Sequence, residues 1–151
     1  MIIKSLEHLN LISIRIGKKI TSLECIFLFG EIGTGKTSFS RNLINFLQKE
    51  KKIKPTEVPS PTFNLLYEYE IKDFKVMHYD LYRLKNKREI EQLGIFGERD
   101  KTIKIIEWPE LIQNDVIDRL ELKFGYLKND NERNLDLIGY GKWKDFIIDE
   151  L

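Results

Sequence analysis

The chain has 151 residues, enough for one domain with a single hydrophobic core. Apolar residues make up 42% and charged residues 32% of it, a balance typical of globular rather than disordered chains. Lys and Arg number 25 against 24 Asp and Glu, which argues against a surface that coats nucleic acid, because such surfaces carry a clear basic excess. The single cysteine, Cys25, excludes an internal disulfide framework and a multi-cysteine zinc site.

The first half of the chain predicts a helix, a buried strand and a second helix. Ser5 is a suitable N-cap for a helix from Leu6 to about Lys19. The apolar run CIFLF predicts a strand that is buried on both faces. After a glycine-rich loop, apolar residues recur at helical spacing over 37–49. A charged and then proline-rich connection follows, which indicates a solvated or a functional loop.

The second half predicts two hairpins around a central strand. FNLLYEYEI and FKVMHYDLY favour an antiparallel hairpin, and a short helix is expected over 87–93, ended by Gly94. The apolar strand TIKIIEW comes next. DRLELKF and RNLDLIGY predict a second antiparallel pair, and KWKDFIIDEL predicts a closing helix. Because strands alternate with helices, we expect the α/β class, as a three-layer sandwich with a mixed parallel and antiparallel sheet, in a single domain over 1–151.

The stretch FGEIGTGKTSF contains the phosphate-binding pattern G-x-x-x-x-G-K-[ST] between an apolar strand and an amphipathic helix. Its glycines let backbone N–H groups converge on phosphate oxygens, and the following helix points its N-terminus at the same anion. We expect Lys36 to reach the β- and γ-phosphates and the Thr37 hydroxyl to hold Mg²⁺. The sequence therefore predicts a P-loop NTPase sandwich that binds a nucleoside triphosphate. The predicted nucleotide-binding residues are Gly30, Glu31, Ile32, Gly33, Thr34, Gly35, Lys36, Thr37 and Ser38.

Two acidic residues follow predicted strands and are candidates for the magnesium site. Asp80 ends KVMHYD, and Glu107 ends IKIIE. A P-loop magnesium site usually needs an acidic group at the end of a neighbouring strand, so both are predicted metal ligands together with Thr37. Asp80 could accept from a metal-bound water, while Glu107 could bind the same shell or polarise the attacking water. Lys36, Asp80 and Glu107 are the predicted catalytic residues, with the division of roles between the two acids left open.

Four motifs stand in order, GEIGTGKT, SPTF, HYDLYR and IEWPE, with EQLGI before the last. Together they resemble the TsaE family, the small ATPases of bacterial tRNA threonylcarbamoyladenosine biosynthesis. The resemblance implies ATP and Mg²⁺ as cofactors. It implies two partners, the tRNA threonylcarbamoyl transferase subunit and its structural companion, with tRNA reached indirectly through their complex. It also implies that Lys36 and Thr37 hold phosphate and Mg²⁺, that Asp80 takes the acidic metal-site role, that Glu107 is needed for hydrolysis, and that Thr62 lies in a switch-like loop.

Each remaining motif residue also has an ordinary structural interpretation. Thr62 is alternatively the cap of a turn, and Phe63 is expected in the core. His78 is expected to be a structural histidine rather than a catalytic or partner-facing one. Arg83 is suited to a phosphate, a partner carboxylate or a surface ion pair. Trp108 is suited to a place beside the nucleotide, to an interface, or to packing at a strand end.

The leading hypothesis is an accessory ATPase for tRNA modification that is slow alone and stimulated by its partners. The first alternative is a small-molecule P-loop kinase, whose lid candidate would be LYRLKNKRE. The second is a nucleotide-dependent binding module with incidental hydrolysis. The N-terminus carries no secretory signal and no apolar run approaches the roughly 20 residues of a membrane span, so we expect a cytoplasmic protein without membrane or DNA partners.

Overall fold

A computed structural model describes residues 1–20, 24–97 and 101–148. Strands and helices alternate along this part of the chain. The regular elements are β1 (Ile2–Ile3), α1 (Leu6–Lys19), β2 (Glu24–Phe29), α2 (Lys36–Glu50), β3 (Leu66–Ile71), β4 (Phe74–Asp80), α3 (Lys87–Glu91), β5 (Thr102–Glu107), β6 (Arg119–Tyr126) and β7 (Arg133–Tyr140), with 3-10 helices at Glu110–Ile112 and Gly141–Trp143.

The seven strands form one mixed sheet in the order β1-β7-β6-β2-β5-β4-β3. The four central strands β6, β2, β5 and β4 are parallel, and the hairpin partners β7 and β3 join them antiparallel. Both hairpins and the mixed sheet were predicted. The parallel pairing of β6 with β2 was not, because the sequence shows each strand's neighbour along the chain but not its neighbour in the sheet. The short β1 was also missed, since two residues carry no periodic pattern.

The two faces of the sheet are covered unequally. On one face, α1 and α2 bury side chains that recur at helical spacing, such as Ile12 and Leu43, against Ile26 and Leu28 of β2. On the other face, Phe27 packs with residues from α3, the following turn and the first 3-10 helix. Both faces of β2 are therefore apolar, which is why this strand appears in the sequence as an uninterrupted apolar run. The predicted α/β sandwich is confirmed, and its second outer layer consists of short segments.

The predicted helix boundaries agree with the structure within two residues, except at the end of the chain; α3, expected over 87–93, ends at Glu91. The Ser5 hydroxyl accepts the backbone N–H of His8 at 3.0 Å, which is an N-cap bond for α1. The predicted closing helix is wrong over the described residues, where a 3-10 turn is followed by irregular chain up to residue 148, and 149–151 lie outside them. The buried Trp143 donates its indole N–H to Glu24 at 2.8 Å. A short helix at the end of a chain gains little stability from propensity alone. The hydrogen bond of Trp143 to Glu24 therefore determines the local conformation instead.

The order of the strands determines where the functional residues meet. β2, β5 and β4 are adjacent and parallel, so their carboxyl ends lie at the same edge of the sheet. In open parallel sheets this edge is where ligands bind. The glycine loop follows β2, while Glu107 and Asp80 close β5 and β4. Among the described residues, no helix combines the length and the apolar character that crossing a membrane requires.

Candidate nucleotide site

The loop between β2 and α2 has the backbone that its glycines predict. Gly30, Gly33 and Gly35 have φ values of 144°, 81° and 116°, a region that favours glycine. Gly35 occupies the N-cap of α2 and gives it no side-chain cap. The first N–H groups of a helix have no acceptor within the helix. The loop thus presents an uncapped helix N-terminus at the carboxyl end of the sheet, an arrangement suited to binding phosphate.

Lys36 is buried beneath this loop and contacts its backbone. Its Nζ donates to the carbonyl oxygens of Gly30 at 2.5 Å and of Glu31 at 2.9 Å. The same Nζ lies 4.4 Å from the centroid of the Trp108 ring. Burial lowers the pKa of Lys36 below its usual value, while the neighbouring carboxylates of Glu107 and Asp80 act in the opposite direction. The Lys36 ammonium group is therefore held against the glycine loop by hydrogen bonds to its backbone.

Glu107 is held by two side chains from two different elements. Its Oε1 accepts the Thr37 hydroxyl at 2.9 Å, and its Oε2 lies 2.5 Å from Nε2 of His78. The carboxylate is 2% exposed, and its position follows from β5, which runs beside β2. The predicted pair of Thr37 and Glu107 is thus brought into direct contact by the fold.

Asp80 lies one strand further from the loop, directly across the ladder from Glu107. Its Oδ2 accepts the Thr62 hydroxyl at 2.8 Å, and its Oδ1 accepts the backbone N–H of Tyr82 at 2.9 Å. The hydroxyls of Ser60 and Thr62 are themselves 2.8 Å apart. Thr62, predicted to lie in a switch-like loop (VPSPTF, residues 58–63), therefore links that loop to the acidic residue at the end of β4.

Trp108 lies within the site rather than simply at the end of a strand. It has a φ of 58°, a left-handed conformation that is rare for a bulky residue. Its backbone N–H donates to the carbonyl of Leu28 at 3.1 Å, and its ring lies 4.8 Å from that of Tyr82. With this backbone conformation directly after Glu107, the indole ring lies against the Lys36 ammonium group.

A cavity of about 370 Å³ adjoins the glycine loop on the side of β1 and α1. It extends from Gly33 to Ser38 along the loop and the start of α2, and it reaches Asp130 and Asn131 in the turn between β6 and β7. The Tyr126 hydroxyl donates to the carbonyl of Ile32 at the tip of the loop. This hairpin contact was missed, because nothing in the sequence indicates that β6 lies beside β2.

The side chains at this edge suit a magnesium nucleotide. Carboxylate and hydroxyl oxygens, supplied by Asp80, Glu107 and Thr37, are the donors that Mg²⁺ prefers. Among the described residues, no group of three or more His, Cys, Asp or Glu could hold a metal ion by itself. A P-loop Mg²⁺ site fits this arrangement, because it takes several of its ligands from phosphate and water. A Cβ at Gly30 would lie 2.7 Å from the carbonyl oxygen of Phe124, so only glycine allows the start of the loop to pass this close to β6.

Phe63 was expected in the core, and this is wrong. Its side chain is 84% exposed at the tip of a turn closed by the Leu65 N–H donating to the carbonyl of Pro61 at 2.6 Å. The turn leaves the Phe63 ring in solvent, so the apolar character of this residue does not predict its burial. Arg83 donates to the Phe63 carbonyl at 3.0 Å, and its guanidinium lies 5.8 Å from the ring. Arg83 thus contacts the switch-like loop, a role not considered from the sequence.

Known proteins share the region of the chain that contains these motifs. The sequence model of the TsaE family, described as threonylcarbamoyl adenosine biosynthesis protein TsaE, matches residues 3–135. The chain belongs to the TsaE family. The matched region contains the glycine loop, the switch-like loop and both acidic strand ends. The family resemblance inferred from the motifs is thereby confirmed.

Curated relatives are each described as tRNA threonylcarbamoyladenosine biosynthesis protein TsaE. The protein of Rickettsia conorii is 41% identical over 91 residues, which cover 60% of this chain and 50% of that protein. The protein of Haemophilus influenzae is 32% identical over 115 residues, covering 75% and 68%. The protein of Aquifex aeolicus is 35% identical over 122 residues, covering 76% and 89%. The chain thus spans about half the length of the Rickettsia conorii relative.

One solved structure supports the fold. The crystal structure of YdiB from Bacillus subtilis superposes with a TM-score of 0.72, at 20% sequence identity, over 96% of this chain and 87% of that one. At this level of identity the likeness concerns the fold alone. It agrees with the mixed sheet and with the α/β arrangement described above.

Proposed function

We propose that this chain is a Mg²⁺-dependent ATPase that serves tRNA N6-threonylcarbamoyladenosine biosynthesis. The observation that carries the proposal is the meeting of Lys36, Thr37 and Glu107 at the carboxyl ends of β2 and β5, with Thr37 and Glu107 joined by a 2.9 Å hydrogen bond. Membership of the TsaE family and the names of the curated relatives support the tRNA modification role. Adenine as the base rests on that membership alone.

The residues divide the chemistry of γ-phosphate hydrolysis among them. Lys36 exchanges its loop carbonyl acceptors for phosphate oxygens and stabilises the charge that develops there. The loop N–H groups orient the phosphates, and Glu107 polarises the attacking water. Thr37, Glu107 and Asp80 are the groups that would hold Mg²⁺ and its waters. When bound, the metal ion neutralises negative charge on the phosphates.

The ATPase is proposed to act on the threonylcarbamoyl transferase subunit and its structural companion, reaching tRNA indirectly, in the cytoplasm. Slow turnover alone is expected, because Lys36 donates to the carbonyls of the loop and must leave them before it can reach a phosphate. A partner that orders the loop or supplies an arginine would accelerate the reaction. An arginine supplied in this way is worth about 10³–10⁵-fold in other P-loop enzymes.

The kinase alternative depends on a lid that places arginines over an acceptor. Arg83, one of two arginines in the lid candidate LYRLKNKRE, instead donates to the carbonyl of Phe63 at 3.0 Å. It therefore supports the loop that contains Thr62. The accessory ATPase remains the function that the site supports best, and ADP formation that requires an added small-molecule acceptor would favour the kinase.

The test is ATP turnover by the purified chain, alone and with the transferase pair. Glu107→Gln keeps the size of the side chain and is expected to lower kcat by roughly 10²–10⁴-fold, the usual contribution of a general base. Glu70→Gln is the matched control, because Glu70 is an exposed residue of β3 paired with Lys75. Normal turnover by Glu107→Gln would refute the assigned role. Turnover near 10 s⁻¹ without partners would refute the accessory mechanism.

A further inference from the structure

His78 is a buried polar side chain whose role the proposed function leaves unassigned. It lies in β4, two residues before Asp80, and its side chain is fully buried. Nε2 lies 2.5 Å from Oε2 of Glu107. In the part of the chain that the structure describes, the buried Nδ1 has no hydrogen-bond partner. One ring nitrogen thus contacts the site, and the other is buried without a hydrogen-bond partner among the described residues.

The two nitrogens together determine which tautomer the surroundings favour. A buried N–H without an acceptor is rarer and more costly in proteins than an acceptor without a donor. The unpartnered Nδ1 of His78 is therefore the nitrogen without hydrogen, and Nε2 carries it. Nε2 then donates to a carboxylate oxygen of Glu107, which lies at hydrogen-bonding distance and accepts in its ionised form.

We propose that His78 is a positioning residue that fixes the orientation of the Glu107 carboxylate through an Nε2–H···Oε2 hydrogen bond. Thr37 occupies Oε1 and His78 occupies Oε2, so both oxygens are held and the carboxylate cannot rotate about its terminal bond. The inference rests on the proposed function, in which Glu107 polarises water beside the metal. His78 itself contacts neither nucleotide nor water in this scheme.

The expected size of the effect comes from comparable arrangements. Removing the hydrogen-bond partner of a metal-site ligand typically costs 10–100-fold in metal affinity or activity, because the ligand loses its orientation. His78→Phe keeps a buried aromatic ring but removes the donor. His78→Gln retains an amide N–H close to the position of Nε2. A loss of about 10–100-fold in kcat is expected for His78→Phe, with substantial recovery in His78→Gln.

The experiment combines kinetics with a signal that does not depend on activity. ¹⁵N NMR of the nucleotide-free wild type reports the tautomer directly, and the chain contains only one other histidine, His8. A pyrrole-type Nε2 and a pyridine-type Nδ1 are expected for His78. The ¹⁵N signals of His78 should shift in Glu107→Gln, because the carboxylate that accepts the Nε2–H is replaced. ATP binding without metal should match wild type in both His78 variants, because His78 contacts neither the nucleotide nor water in this scheme. Met77→Leu, the adjacent buried residue of β4, controls for packing.

Each outcome decides the question. A pyrrole-type Nδ1 in the wild type, wild-type kcat in His78→Phe, or equal losses in His78→Phe and His78→Gln would each overturn the proposal. If His78→Phe does not fold, the tautomer in the wild type and its response to Glu107→Gln decide alone. If the wild type shows no ATP turnover even with the transferase pair, the proposed function fails, and the NMR result still tests whether His78 holds Glu107.

Discussion

The conformation of Gly30 gives a quantitative test of the loop. Its φ of 144° lies in a region that L side chains rarely adopt. A Cβ placed there would lie 2.7 Å from the carbonyl oxygen of Phe124 and 2.7 Å from Oγ1 of Thr34. The carbonyl belongs to the backbone of β6, so it cannot move aside as the end of a flexible side chain could. Gly30→Ala therefore combines backbone strain with a steric overlap.

The two contributions can be given magnitudes. A side chain in a sparsely populated φ region costs about 1–3 kcal/mol, and overpacking costs about 1–3 kcal/mol. Gly30→Ala should therefore lower the free energy of unfolding by roughly 4 kcal/mol. For a chain of this size each kcal/mol shifts Tm by about 2–4 °C, so a fall of about 8–16 °C is expected. Nucleotide affinity should fall as well, because the loop must shift to relieve the overlap.

Thermal unfolding followed by circular dichroism, without nucleotide, measures this effect. Gly125→Ala is the matched control, because a Cβ at Gly125 would lie 3.9 Å from the nearest atom, Cβ of Asn134, and Gly125 does not have a positive φ. That variant should melt within about 2 °C of wild type, since the strand tolerates alanine. If Gly30→Ala also melts within about 2 °C of wild type, the strain and overlap assigned to this position are wrong.

Three further predictions concern residues around the site. Thr62→Val should lose about 1.5–3 kcal/mol of unfolding free energy in urea titrations, because its hydroxyl donates to Asp80, whereas Thr62→Ser should keep most of it. Phe63→Ala should change that free energy by no more than about 0.5 kcal/mol, whereas a buried phenylalanine such as Phe39 would cost about 3–5 kcal/mol. Burial raises the pKa of Cys25 to about 12, so its thiol should not react with a disulfide reagent at pH 8 until the chain is unfolded. Reaction of the folded chain at the rate of a free thiol would contradict this burial.

Much of the fold could be predicted because it depends on patterns among residues that are close together in the chain. The helical spacing around Leu43, the Ser5 cap and the alternating hairpin strands each depend on residues close together in the chain. The errors have the opposite character. Phe63 is apolar but exposed, because a turn at Pro61 directs it outwards. The predicted closing helix is absent from the described residues, where Trp143 is instead bonded to Glu24, 119 residues earlier in the chain.

The candidate site was predictable in its parts and not in its connections. The glycine pattern indicated Lys36 and Thr37, and the ends of two apolar strands indicated Asp80 and Glu107. Their hydrogen bonds could not be inferred, because they depend on strand order. The contact of Tyr126 with the loop requires β6 to lie beside β2, and the sequence shows β6 only as half of a hairpin.

Strand order also bears on why two acidic residues are present. β5 is the immediate neighbour of β2, so Glu107 at its end is within reach of Thr37, which lies directly after the glycine loop. β4 is one strand further away, and Asp80 at its end bonds to Thr62 in the switch-like loop instead. Asp80 and Glu107 are partners across the same ladder. The switch-like loop thus contacts one carboxylate, and the residue that follows the glycine loop contacts its neighbour. In the proposed ATPase, a partner that moved Thr62 would therefore act first on Asp80, whose ladder neighbour is Glu107.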